Sequence, residues 1–280
     1  MERPNYLKLA SLAESAAYEA GQRVKEMQGA ERKITSKGFR DIVTDADYLA
    51  QSIITSAIRK KYPDHGFITE EADGSLPQSG PFIWVIDPVD GTTNYSRNQP
   101  NYSLSIAAAE ENSKFEAPSD DVDSNQFNLV VGVIYDPPHS EMFSAAANSG
   151  ALLNNNSIQV SGVSSLSNAV IGLDWGRSHE QRDRMMAILG RLLHKVHTIR
   201  AVGSAAQALA WVACGRLDAY VNLSVGAWDC AAASVIISEA GGSIRNIRGR
   251  LWQLSDVTCI ASSDKLLPSL LELILNNGQK

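Results

Sequence analysis

The sequence predicts an α+β N-terminal half joined to an α/β C-terminal half. Two observations carry this expectation. Up to Gly150, two helical patterns precede a series of β-type runs; after it, β-type runs alternate with helical stretches. The chain has 280 residues, and at roughly 150 residues to a domain it divides into 1–150 and 151–280. The junction falls in the Asn- and Ser-rich stretch from Asn148 to Ser167.

The elements follow in order. Leu9, Leu12, Ala13, Ala16, Ala20, Val24 and Met27 recur at three- and four-residue spacings, the apolar stripe of an amphipathic helix. A second helix is expected from about Ala46 to Lys61, with Ile53, Ile54, Ala57 and Ile58 inward and Pro63, Asp64 and Gly66 breaking it. Phe67–Thr69 and Phe82–Ile86 read as short strands ending in acidic residues, and Tyr102–Ala109, Phe127–Tyr135 and Glu141–Ala145 continue an antiparallel series. Beyond the junction, strands are expected at Val170–Leu173, His197–Arg200, Ala219–Val221, Gly242–Ile244 and Val257–Ala261. Helices near Glu180–Leu193, Ala205–Cys214, Cys230–Ala240 and Lys265–Leu275 separate them.

Composition bounds the class. An apolar fraction of 44% and a charged fraction of 20% exclude a wholly disordered or fibrous chain. No apolar run approaches the roughly 18 residues of a membrane helix, and the opening Met-Glu-Arg-Pro-Asn-Tyr lacks a signal-peptide layout, so no membrane association is expected. The net charge of −6 argues against a broad nucleic-acid footprint, and no nucleic-acid partner is expected. Most of that charge is local: Glu110, Glu111, Glu116, Asp120, Asp121 and Asp123 against Lys114 leave −5 in one stretch. The Glu110–Gln126 segment therefore reads as a solvated loop. Cys214, Cys230 and Cys259 are odd in number and lack a C-x-x-C spacing, which suits reduced, buried thiols of a cytoplasmic protein.

The segment Trp84-Val-Ile-Asp-Pro-Val-Asp-Gly-Thr-Thr-Asn-Tyr95 carries the chemistry. In a continued strand, Asp87 and Asp90 would face opposite sides. Pro88 and Gly91 let the chain turn, so that both carboxylates converge. Thr92 and Thr93 are helix-capping types, and a helix starting there would aim N–H groups at an anion. An anion beside paired carboxylates requires cations between them, and hard divalent ions bridge carboxylate and phosphate oxygens. Glu70 and Glu71 end the preceding strand, Asp229 stands as an expected N-cap before the Cys230–Ala240 helix, and Asp41, Asp45 and Asp47 precede the second helix.

Together, Glu70-Glu71, Asp87-Pro-Val-Asp90-Gly-Thr-Thr, and Trp228-Asp229 followed by a small-residue helix and Gly-Gly resemble the inositol monophosphatase family of lithium-sensitive, metal-dependent sugar phosphatases. The likeness runs from about Lys37 to Gly242. It implies a layered α-β-α-β-α sandwich, with residues 1–150 holding metal and phosphate and residues 151–280 holding substrate. It further implies that Glu70, Asp87 and the carbonyl of Val89 hold one Mg²⁺, and Asp87, Asp90 and Asp229 a second. A third, looser ion would touch Glu70 through water, with Mn²⁺ a possible substitute. Thr92, paired with Asp47, would orient the attacking water, and the N–H groups of Gly91 and Thr92 would receive the phosphate.

Substrate contacts implied by the resemblance are Asp90 and Asp229, the Gly203-Ser204-Ala205 segment and the position of Asn222, seven residues ahead of Asp229. Inositol monophosphatases typically carry a glutamate there; an amide keeps a hydrogen bond to a ring hydroxyl but loses the charge-assisted one. The implied activity is hydrolysis of inositol monophosphate. Fructose 1,6-bisphosphate, histidinol phosphate or 3′-phosphoadenosine 5′-phosphate are alternatives, as is a regulatory protein that keeps the fold to bind a partner such as RNA polymerase. A second phosphate would need extra basic residues, for which Lys37, Arg40, Arg97 and Arg177 are candidates. The family resemblance also implies a homodimer.

Overall fold

The computed structural model describes residues 5–29, 33–38, 41–71, 73–111 and 127–275. Helix α1 (Tyr6–Met27) is capped by Asn5, whose side chain accepts from the Lys8 N–H. A two-stranded antiparallel hairpin, β1 (Ile34–Gly38) and β2 (Asp41–Thr44), leads into α2 (Asp45–Lys61). The hairpin is absent from the sequence expectations because β1 is exposed along its whole length and shows no alternation.

A seven-stranded sheet follows in chain order: β3 (Gly66–Thr69), β4 (Phe82–Asp90), β5 (Ser103–Glu111), β6 (Phe127–Asp136), β7 (Glu141–Ala146), β8 (Ala151–Leu153) and β9 (Asn156–Ser157). A single-turn helix, α3 (Thr92–Ser96), links β4 to β5. The expected antiparallel series holds from β4 onward, whereas β3 pairs with β4 in parallel. Strands β8 and β9 complete this sheet although they lie beyond residue 150.

The second sheet comprises β10 (Val170–Leu173), β11 (Thr198–Ala201), β12 (Ala219–Asn222), β13 (Gly242–Arg245) and β14 (Cys259–Ser263), in the spatial order β11-β10-β12-β14-β13. The first three are parallel and β14 is antiparallel to both neighbours. Helices α4 (His179–Leu192), α5 (Ala205–Ala213) and α6 (Ala227–Glu239) separate the strands from β10 to β13, and α7 (Leu267–Leu275) follows β14.

Stacking these elements gives five layers, the α-β-α-β-α sandwich. Period two on β4 shows how the layers are sorted. Trp84 and Ile86 join the apolar cluster under α1 and α2, while Val85 faces the cluster built on α5 and α6. That middle cluster also takes Tyr220, Ile244, Cys259 and Ala261 from the second sheet. A third cluster packs Met185, Ile188, Leu270 and Ile274 of α4 and α7 on the outer face of the second sheet.

Three boundaries differ from expectation for physical reasons. β4 runs on to Asp90, because its last residues stay paired with β5 across a bulge. Glu110 and Glu111 belong to β5, where Glu110 accepts a hydrogen bond of 2.6 Å from the Tyr6 hydroxyl. The rest of the acidic loop expected at Glu110–Gln126 lies outside the described residues. Helix α6 starts at Ala227 with Gly226 as its cap, which makes Asp229 the third residue of the helix and not its N-cap.

The approach of α6 to the first sheet depends on one glycine. Gly132 on β6 lies against Ala232 of α6, so a Cβ at position 132 would collide with the Ala232 backbone carbonyl. Gly132→Ala is expected to destabilise the fold by about 1–3 kcal/mol, the usual cost of overpacking, measured as a shifted midpoint in urea unfolding with an unchanged slope.

Candidate active site

The strand β4 brings its two aspartates together by a change of pairing. Asp87 stands opposite Ser105 of β5 and Asp90 opposite Ser103, so three steps on one strand match two on the other. One extra residue in β4 is a β-bulge, which re-aims the side chains beyond it. Asp87 and Asp90 thereby share the face turned toward α6. Helix α6 contributes Asp229, and carboxylate oxygens of Asp87, Asp90 and Asp229 lie within 4.8 Å of one another. Glu70 follows β3 and is kept beside β4 by its N–H, which donates to the Ile86 carbonyl at 3.1 Å. These four acids line a cleft of about 300 Å³.

The turn after β4 is built around Gly91, whose φ of +92° lies in the left-handed region. A Cβ there would sit 2.8 Å from the Asn101 carbonyl, so both torsion and space require glycine. Gly91, not a threonine, is the cap of α3. The Thr92 hydroxyl instead lies 3.0 Å from the Val89 carbonyl and 3.2 Å from Asp47 Oδ1. The other carboxylate oxygen of Asp47 accepts from the Thr44 N–H at 2.9 Å and from the Thr44 hydroxyl. Asp47 is fully buried.

Backbone donors from both halves of the chain hold the acids. Asp90 Oδ2 accepts from the Ala206 N–H at 2.7 Å and from the Ser204 hydroxyl, at the start of α5. Asp229 accepts from the Gly226 N–H at 2.7 Å, and Asp87 from the Val89 N–H at 3.1 Å. Burial nevertheless dominates. It raises the Asp90 pKa to about 6 against the lowering effect of the Ser204 and Ala206 bonds. Burial, then the nearby Asp90 charge, takes Asp229 to about 8. Burial followed by the charges of Glu70, Asp90 and Asp229 pushes Asp87 well above the carboxylate range. Asp47 is raised to about 6, again chiefly by burial.

Converging buried carboxylates that resist joint ionisation fit a divalent cation, which would reverse the sign of the local field. The cleft offers oxygen donors, and among the described residues neither histidine nor cysteine lines it. That donor set suits Mg²⁺ or Mn²⁺ and does not suit zinc. Cys230 and Cys259 are buried and Cys214 partly so, and all three are free thiols.

The opposite wall departs from expectation. Gly203 and Ala205 line the cleft, but Ser204 is 1% exposed and its hydroxyl is bonded to Asp90. Its hydroxyl is therefore engaged by an acid of the cluster, and Ser204 is not among the residues that line the cleft. Asn222 reaches the wall, yet its Nδ2 donates to the Tyr220 hydroxyl at 3.0 Å and its Oδ1 accepts from the Ser224 N–H at 2.9 Å. The Tyr220 hydroxyl donates in turn to Asp174 Oδ2 at 2.7 Å, and Asp174 Oδ1 accepts from the Gly203 N–H at 3.0 Å. Burial raises Asp174 to about 6.

Asp174, Trp175, Arg182 and Ser224 line the cleft without having been singled out from the sequence. Asp174 had a usable signal, since it directly follows a β-type run just as Glu70 and Asp87 do; Arg182 lies within a charge-rich helix and had none. Of the basic candidates, Arg177 lines the cleft. Lys37 on β1 bonds Glu71 at 2.7 Å and Glu70 at 3.3 Å. Arg97 caps α3 away from the cleft, and Arg40 lies outside the described residues.

Comparison with known proteins agrees with this geometry. The family model described as the inositol monophosphatase family matches residues 5–279. A protein of Xylella fastidiosa named Nus factor SuhB is 35% identical over 254 residues, covering 88% of this chain and 86% of that protein. An inositol-1-monophosphatase of Synechocystis is 35% identical over 272 residues, covering 96% and 89%. The crystal structure of the extragenic suppressor protein suhB from Bartonella henselae superposes with a TM-score of 0.87 at 28% identity, covering 97% of this chain and all of the other. Among the described residues, no helix is long and apolar enough to cross a membrane.

The raised acids make metal-free stability depend on pH. A carboxyl whose folded pKa lies above its unfolded value contributes stability while protonated and loses that contribution as pH rises through the folded value. With unfolded values near 3.8 and folded values of about 6 for Asp90 and about 8 for Asp229, the melting temperature in EDTA is expected to fall between pH 4 and pH 8. Asp229→Asn, which keeps an acceptor for the Gly226 N–H, should melt several degrees above the wild type at pH 8 in EDTA. Added Mg²⁺ should raise the wild-type value at that pH and leave the variant less affected, as read by differential scanning fluorimetry.

Proposed function

The chain belongs to the inositol monophosphatase family, and we propose that it is a Mg²⁺-dependent phosphomonoesterase converting inositol monophosphate to inositol and phosphate. The observation that carries this reading is the convergence of Asp87, Asp90 and Asp229 within 4.8 Å, beside Glu70 and the Thr92–Asp47 pair. A fold kept only for binding a partner has no need of a buried, mutually repelling acid cluster. Reduced cysteines and the family resemblance support a cytoplasmic homodimer.

In this reading Glu70, Asp87 and the Val89 carbonyl would hold one Mg²⁺, Asp87, Asp90 and Asp229 a second, and Glu70, through water, a looser third. Bound there, the cations supply charge to offset the phosphate and lower the pKa of a water. The remaining work belongs to the chain. Thr92 donates its hydroxyl proton to Asp47, which leaves its oxygen free to accept a hydrogen from the attacking water and aim it at phosphorus in line. Asp47 is a positioning residue, since its burial keeps it from the substrate. The N–H groups of Gly91 and Thr92 receive phosphate oxygens, and a water held at Asp229 returns a proton to the leaving alkoxide.

Several relatives carry the name Nus factor SuhB, and that name favours a second reading, a partner-binding role on the same fold. Net charge alone therefore does not decide whether nucleic acid is among the partners. The two readings separate on turnover. Phosphate release from inositol 1-phosphate is expected with Mg²⁺ and not in EDTA, ahead of histidinol phosphate and 3′-phosphoadenosine 5′-phosphate. Asp87→Asn and Asp90→Asn should each lower kcat/KM by on the order of 10³-fold, and Thr92→Val by about 10²-fold. Full activity in both aspartate variants would refute the mechanism.

A further inference from the structure

Two backbone carbonyls at the seam between the halves lie outside every strand and helix. Asn101 stands just ahead of β5 and Val202 just past β11, and a carbonyl shielded from water needs a donor from elsewhere. One side chain serves both. The Asn94 amide, on α3, donates to the Asn101 carbonyl at 2.7 Å and to the Val202 carbonyl at 2.9 Å. Two donors on one short side chain require an amide, because a hydroxyl carries one hydrogen and a carboxylate none. Both partners can only accept, so they fix which end of the amide faces them. Asn94 is 9% exposed, and water is a poor substitute there.

Val202 begins the segment that closes on the acids. Gly203 follows with φ of +77°, its backbone so near Asn94 that a Cβ would sit 2.8 Å from Nδ2. The Gly203 N–H then donates to Asp174, and the Ser204 hydroxyl and the Ala206 N–H donate to Asp90 Oδ2. The turn that carries Asn94 meets this segment a second time, since a Cβ on Gly91 would lie 3.1 Å from the Ser204 Cβ. A shift of Val202 away from α3 would therefore carry Ser204 and Ala206 with it and loosen both donors on Asp90. Partners that orient a metal ligand from behind typically change metal affinity by roughly 10- to 100-fold.

We infer that Asn94 is a positioning residue for the metal centre: by fastening Val202 and Gly203 to the turn after β4, it places the donors that aim Asp90 and so sets the affinity of the Asp87, Asp90 and Asp229 cluster for a divalent cation. The inference rests on the metal-dependent reading of that cluster. It adds a residue from α3 that acts through the second half of the chain, although Asn94 and Asp90 are only four positions apart in sequence.

The test is calorimetric titration of Mg²⁺ into the full chain after removal of metal with EDTA, with melting temperatures recorded in parallel. Asp90→Asn identifies the binding step that depends on Asp90. Asn94→Ala is expected to weaken the Kd of that step about tenfold, and Ser204→Ala by a similar factor. The double variant should be no weaker than the weaker single one, because both changes reach Asp90 through one segment. Asn94→Ser, with one donor left, should fall between the wild type and Asn94→Ala, and it carries the comparison if Asn94→Ala does not fold. In turnover of inositol 1-phosphate, raising Mg²⁺ should restore kcat in the Asn94 variant with KM for the ester within about twofold of the wild type. A lowered melting temperature with an unchanged Kd, or losses that multiply in the double variant, overturns the positioning role and leaves the metal reading intact. A wild-type chain that takes up no Mg²⁺ overturns the metal reading and the inference with it.

Discussion

Three aspartates within 4.8 Å of one another, Asp87 and Asp90 buried and Asp229 partly so, cannot remain ionised together without a compensating charge. Much of the surrounding structure keeps that arrangement in place. The bulge in β4 turns Asp90 to the side of Asp87, the turn of α6 supplies Asp229, and the first amide groups of α5 hold Asp90. Each device sits at the edge of a regular element and is fixed by the sheet or helix behind it. The cluster is therefore positioned by the sandwich and not by a loop, which suits a centre that must keep like charges close.

How much of this was legible follows the range over which each signal acts. The α-then-β rhythm of the first half and the alternation of the second are local patterns of period 3.6 and 2, and they placed every helix of the outer and middle layers but the single turn after β4. The Asp87-Pro-Val-Asp90-Gly motif announced convergence through Pro88 and Gly91, but the means is a bulge against β5, a property of two strands that one strand's residues do not carry. The parallel pairing of β3 with β4 is likewise a matter of neighbours. Asp229 was located but assigned the wrong helical position, since the shift from cap to third residue depends on Gly226 and the close packing of Trp228 on it.

The substrate wall was the least legible part. Ser204 is a cap by sequence and a cap by structure, yet its hydroxyl also closes on an acid 114 residues away. Asn222 reads as an available amide until Tyr220 and Ser224 are seen to occupy it. These are long-range satisfactions of buried polar groups. A single sequence shows which side chains can make hydrogen bonds but not which partners reach them first. The acid floor was easier because its residues cluster in motifs, whereas the wall is assembled one residue at a time from β10, α4, α5 and β12.

The middle layer of α5 and α6 touches both sheets, and its apolar cluster draws Val85, Ile134 and Phe143 from one side and Tyr220, Ile244 and Ala261 from the other. The first half of the chain cannot cover its own inner face, because α5 and α6 both come from the second half. In evolutionary terms the molecule cannot be inherited as two exchangeable modules, because a crossover near residue 150 would join two surfaces that had never been shaped to each other. Diversification is left to the short segment between β10 and α4, which borders the cleft at the rim and can change its side chains while the shared interior stays as it is.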